Sequence, residues 1–169
     1  MINKNSQEKN NFEPFKLQYE DVFHYKNILI PQLCLYNSYD TLTNQTRPTI
    51  GIHLDCIDET TGCREPYAML TVGLGEYIGI HNAAYIDTNN LGNHIVEWLE
   101  KNNLGQATPL TKQSGFCQYP LFIFNDDFLT KIEDTEQCLK EYNNSYDDYL
   151  KHFEPSYEID EDDLDMEKE

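Results

Sequence analysis

The chain has 169 residues, with 30 Asp and Glu against 12 Lys and Arg, a net charge of −18 and a pI near 4.4. That length builds one domain around a sizeable core and leaves little room for two. The charge argues against direct binding to nucleic acid, whose phosphates are neutralised by Lys and Arg; the natural complement is a basic protein surface.

Residues 1–16 are rich in Asn, Lys, Gln and Glu and lack both periodicity and the apolar core of a signal peptide, which predicts a flexible lead-in. From Val22 to Tyr39 the pattern turns apolar and aromatic, with Ile28, Ile30, Leu33 and Leu35 alternating around Pro31. A strand pair or a bulged strand fits, because proline cannot donate to a ladder. Ile50, Ile52, Leu54 and Cys56 alternate with Gly51, His53 and Asp55, the period-2 pattern of a half-buried strand. "DETTG" supplies a turn, and Ala68, Leu70, Val72 and Leu74 continue the pattern, so residues 49–74 predict a β-hairpin.

"AYIDT" at 84–88 reads as a short strand. In the following segment Leu91, Ile95, Trp98 and Leu99 share one helical face, which puts Trp98 in the core. Asn90 or Asn93 is the expected cap of that helix, and Gly105 the left-handed residue after its end. Ser114 and Gly115 make a turn before a strand at 119–124, with Pro120 marking an edge or bulge. Beyond Asp126 the chain reads helical and acidic, with Leu139, Tyr142, Tyr146, Tyr149, Leu150 and Phe153 forming an apolar and aromatic stripe up to Pro155. The expected organisation is a lead-in at 1–16, an α+β domain at 17–134, an acidic amphipathic helix at 135–153 and a disordered acidic tail at 154–169.

Residues 1–125 carry a net charge of −5, residues 126–153 another −5, and residues 154–169 the remaining −8. Charge concentrated in this way steers a basic surface toward the C-terminal segment, more strongly at low salt. Carboxylates spaced along a rigid helix can stand in for the phosphates of a duplex. The candidate partner-binding residues are therefore Glu136, Glu141, Tyr146, Asp147 and Asp148 on the helix, with Glu158, Asp160, Glu161, Asp162, Asp163 and Asp165 in the tail.

Catalytic and metal-binding patterns are weak. Cys117 lies beside the Ser114-Gly115 turn, but a cysteine nucleophile needs a nearby base, and none of His24, His53, His81, His94 and His152 stands in a recognisable context for one. A buried strand thiol is the expectation for Cys117. Cys56 and Cys63, with His53 nearby, lack a second ligand pair for zinc. "GLGEYIG" lacks the spacing and the lysine of a phosphate-binding loop. No cofactor or metal is expected, and five scattered cysteines suggest reduced, cytosolic thiols in a soluble protein. Apolar runs such as "LFIF" are too short to cross a bilayer.

The runs "EPYAMLTVGL", "AYIDTNN", "WLEKNNLG" and "SGFCQYPLFIF" resemble an uncharacterised family of small domains of unknown function from Firmicutes phages, plasmids and integrative elements. The resemblance covers about residues 28–130, its most specific part is SGFCxYPxFxF, and the acidic extension after about Asp134 falls outside it. Ser114, Gly115, Phe116, Cys117, Tyr119 and Pro120 match it as fold markers, with no activity attached. The resemblance implies a protein of a mobile element. Combined with the charge, it suggests a non-enzymatic counter-defence factor, of the anti-CRISPR or anti-restriction type, that occupies a basic nucleic-acid channel. A small enzyme using Cys117, or an accessory scaffold protein, are the alternatives. The expected fold is α+β: an antiparallel sheet of about five strands with one packed helix near 91–103, plus a C-terminal acidic helix and tail.

Overall fold

Alternation of side chains builds the first sheet from the N-terminal side. In β1 (Leu17–Glu20) Leu17 and Tyr19 are buried while Gln18 and Glu20 face solvent. β2 (Lys26–Asp40) pairs with β1 and then, over twelve consecutive positions, with β3 (Gln45–Ile57). β4 (Arg64–Met69) closes this sheet in the order β1-β2-β3-β4. The structure, a computed structural model, describes residues 13–153; the tail expectation, and the lead-in expectation for residues 1–12, fall outside the described residues. Phe15, within the expected lead-in, packs against Phe128 at 5.9 Å.

The segment expected to be a strand pair or a bulged strand is the single strand β2, with Pro31 inside it. The Leu33 N–H points away from β3 to the Glu133 carbonyl (3.0 Å), so the nitrogen of Pro31, two residues earlier, faces the same side. The pairing with β1 has already ended there, at Leu29, so the missing donor costs no ladder bond.

The expected hairpin is present as β3 and β4, turned at residues 58–63 with Gly62 at φ 70°. The chain then changes sheets at one residue. Leu70 donates its N–H to Ile52 in the first sheet (2.9 Å), and its carbonyl accepts from Asp87, the residue just past a strand of the second (2.9 Å). The buried Thr71 hydroxyl accepts from the Ile52 N–H (2.9 Å), and the Tyr36 hydroxyl donates to the Thr71 carbonyl (3.1 Å).

Beyond this crossover lies a second antiparallel sheet in the order β5-β6-β8-β7: β5 (Thr71–Val72), β6 (Ala83–Ile86), β8 (Cys117–Phe124) and β7 (Gly105–Ser114). The α+β class is as expected, but the single sheet of about five strands is two sheets of four, because the expected hairpin arm divides at Leu70 and because β7 carries no alternation. The ladder between β7 and β8 shifts between Ala107 and Thr111, beside Pro120, which therefore does mark a bulge.

The helix expected near 91–103 is two helices, α1 (Thr88–Leu91) and α2 (His94–Lys101). Gly92 at φ 86° separates them, the Asp87 side chain caps the first by accepting from the Asn90 N–H, and Asn103 at φ 56° takes the left-handed position expected of Gly105. Gly105 instead opens β7, where an added Cβ would lie 2.1 Å from the Ile123 carbonyl oxygen. Trp98 is half-buried at the rim of the core rather than inside it. α3 (Asp126–Lys131) and α4 (Thr135–Lys151) complete the fold.

One core joins the layers. Leu29, Leu33, Ile50, Ile52 and Leu54 come from the first sheet, Ile86, Phe122 and Phe124 from the second, and Ile95, Leu99, Phe128 and Tyr142 from the helices. Each such side chain contributes about 1.5–3 kcal/mol by leaving water. No helix of the described residues is long and apolar enough to cross a membrane.

Candidate functional site

The site is the outer face of α4, and what fixes that face is the way its inner face docks. Cys138, Tyr142, Ser145 and Tyr149 recur at spacings of four, three and four, which puts them on one stripe against β2 and β3. Tyr142 is buried, accepts from the Asn82 N–H (2.9 Å) and has its hydroxyl pushed up to about 12, chiefly by burial. His81 stacks on Tyr142 and on Tyr146 (4.7 Å) and is hydrogen-bonded through Nε2 to Asn143 (2.8 Å). The Tyr149 ring meets Tyr77 edge-on at 5.0 Å and lies where Gly79 has no side chain; a Cβ there would be 2.3 Å from the Tyr149 hydroxyl.

The polar centre of this docking is Arg47 of β3, whose side chain is 2% exposed. Its Nε donates to Asp40 (3.0 Å), its Nη1 to the Ser145 carbonyl (2.7 Å), and its Nη2 to Asp148 (2.9 Å) and to the Thr43 hydroxyl (3.2 Å). The guanidinium also lies 5.8 Å and 5.7 Å from the ring centres of Tyr77 and Tyr149. A buried charge of this kind persists because every side of it is paired. Burial alone would raise the Asp40 carboxyl, but hydrogen bonds from Thr43, Arg47 and the Leu42 and Thr43 amides hold it below its ordinary value. The Tyr77 hydroxyl beside this cluster is buried and has no hydrogen-bond partner among the described residues, and burial raises its pKa.

With α4 held this way, the expected partner-binding residues separate. Glu136, Glu141 and Asp147 are exposed to solvent. Glu136 and Asp147 fall on one line of the helix, about 16 Å apart along its axis, and Glu141, five residues after Glu136, stands about 140° around the helix from it, on the flank of that face. Asp148 is 50% exposed, but one of its oxygens is committed to Arg47. Tyr146 is half-buried and gives its ring to His81. Lys140 and Lys151, each four residues after an acid of this face, partly neutralise it. Glu158, Asp160, Glu161, Asp162, Asp163 and Asp165 lie outside the described residues. Sequence reading missed Arg47; only its place opposite the apolar side of the β3 alternation could have marked it, and its partner Asp148 lies 101 residues away.

Cys117 is half-buried rather than buried, and starts β8 across the turn from Ser114. The polar neighbours of the five histidines lie elsewhere: hydrogen bonds join His24 to Glu20, His81 to Asn143, His94 to Tyr19 and His152 to the Asp148 carbonyl, and His53 lies 3.3 Å from an Asp55 oxygen. Among the described residues, no three His, Cys, Asp or Glu side chains are grouped so as to hold a metal.

Residues 42–149 match the family described as Domain of unknown function (DUF4313). The match starts later than the expected 28 and runs to Tyr149, so most of α4, expected to fall outside the shared part, lies inside it together with Arg47 and Asp148. No curated protein and no solved structure matches the chain.

Proposed function

The chain belongs to the DUF4313 family of domains of unknown function, and from that premise we propose that it is a non-enzymatic binding protein whose acidic surface occupies the basic nucleic-acid channel of another protein. The observation that carries this reading is the exposed side of α4, where Glu136 and Asp147 share one line and Glu141 stands exposed on its flank, on a helix whose pose is fixed by buried Arg47. A fixed array of carboxylates meets a positively charged channel without the ordering cost that a flexible acidic chain would bear. The partner class we propose is a bacterial defence nuclease, a CRISPR effector or a restriction enzyme, with the protein supplied by a phage or other mobile element and acting in the cytoplasm of the host cell. Such channels hold nucleic acid by its backbone and are strongly basic, which is the complement of a chain with net charge −18.

The test is displacement of a fluorescent duplex from a purified CRISPR effector and from a purified restriction enzyme, followed by anisotropy at several salt concentrations. Wild type is expected to displace the duplex from one of them, less well as salt rises. The triple variant E136Q/E141Q/D147N, truncated after Phe153, is expected to need at least about tenfold more protein. Equal displacement by that variant and by wild type would sink the charge reading.

A further inference from the structure

A groove of about 530 Å³ lies between the β1–β2 hairpin, the turn after β3 and α2, with Tyr19, Glu20, Lys26, Glu59 and Trp98 among its walls. Its aromatic wall is held in place. The Trp98 indole N–H donates to the Gln18 carbonyl (3.0 Å), the Trp98 ring meets Tyr19 edge-on at 5.0 Å, and the Tyr19 hydroxyl is hydrogen-bonded to His94 (2.7 Å). Bonding the indole through its N–H leaves the ring face free of hydrogen bonds.

The groove also carries carboxylates. Glu20 bonds His24 (3.0 Å) and stands opposite Lys26 in the ladder. Glu59, exposed on the turn, makes no ion pair among the described residues. Beside the groove, the β1–β2 turn is fixed by the Asp21 side chain, which accepts from the Phe23 (2.9 Å) and Tyr25 (3.0 Å) amides. That turn presents Val22, Phe23 and Tyr25 to solvent, at 60%, 76% and 70% exposure.

We propose that this groove binds an arginine side chain of a partner protein, with the guanidinium against Trp98 and paired to Glu59 and with apolar neighbours of that arginine on the Phe23 turn. An indole face and a carboxylate are the two groups that a guanidinium engages best, because it is planar, stacks on aromatic rings and donates in a fork. The expectation that the partner is basic rests on the function proposed above; the geometry of the groove does not.

Trp98 is the chain's single tryptophan, so its emission reports on the groove alone. The full chain is titrated with the peptide acetyl-Leu-Arg-Leu-amide and with the same peptide carrying neutral citrulline in place of arginine. The arginine peptide is expected to give a saturable change in emission at a midpoint at least about threefold lower than the citrulline peptide. Glu59→Gln is expected to weaken the arginine peptide about two- to fivefold and to leave both the citrulline response and the melting temperature unchanged. Equal responses to the two peptides, or no saturable change, would overturn the proposal. If Trp98 responds selectively while no duplex is displaced, the arginine groove stands and the channel reading falls. If duplex is displaced while Trp98 stays silent, the groove proposal alone falls.

Discussion

Arg47 is the residue on which the placement of α4 turns. Replacing it with Met leaves the Asp40 carboxylate buried without its cation, and the expected loss of unfolding free energy is about 3–5 kcal/mol in urea. Asp148→Asn, at a half-exposed position that keeps an acceptor oxygen, is expected to cost at most about 1 kcal/mol. The pH dependence follows from Asp40, whose folded-state pKa is lowered. Its contribution is present in full above the unfolded value of about 4 and is lost as pH falls through the lowered folded value. Glu133, held below its ordinary value chiefly by the hydrogen bond from Arg64, acts in the same direction. Urea unfolding between about pH 5 and pH 2 should therefore show falling stability in the wild type, and in R47M the Asp40 part of that fall should vanish or reverse.

At the scale of elements, the ease with which each was read in the sequence follows from its periodicity. β3 and β4 were legible because Ile50, Ile52 and Leu54 alternate on a strand with one face in the core. The inward stripe of α4 was legible through its tyrosines, although Leu150 and Phe153, counted in that stripe, are exposed. β7 was not, because an edge strand containing Pro109 and a register shift shows mixed burial without alternation. The commitment of Asp148 to Arg47 was hidden for a different reason: a contact across 101 residues leaves no local pattern. Gly105 gives the element-scale prediction. Gly105→Ala would set a Cβ against the Ile123 carbonyl and the backbone of Phe124, and the β7–β8 pairing cannot yield without breaking. The melting temperature of G105A should drop by the equivalent of about 1–3 kcal/mol. A Cβ at Gly62 meets nothing within 4 Å and costs only the strain of φ 70°, so G62A should drop by less, about 1 kcal/mol.

At the scale of the molecule, charge and topology play separate parts. The described residues 13–153 hold 20 carboxylates against nine Lys and Arg, a net charge of −11, so the negative field does not depend on the last sixteen residues alone. Of those nine cations, Arg47, Arg64 and Lys112 are paired internally with Asp40 and Asp148, with Asp55 and Glu133, and with Glu76. Specificity cannot come from such a field, which selects only a class of surface. The Trp98 groove and the rigid Phe23 turn, on the β1–β2 side of the fold, offer the shape that the acidic helix lacks.

The crossing at Leu70 ties the opening of one sheet to that of the other. Its amide proton is held by the first sheet, and its carbonyl holds the amide proton of Asp87, next to the end of β6 in the second. In deuterium oxide these two protons should therefore exchange together, with protection factors close to that of global unfolding. If Asp87 exchanged far ahead of Leu70, the second sheet would be opening on its own; equal protection would make the eight strands a single cooperative foldon joined at one peptide.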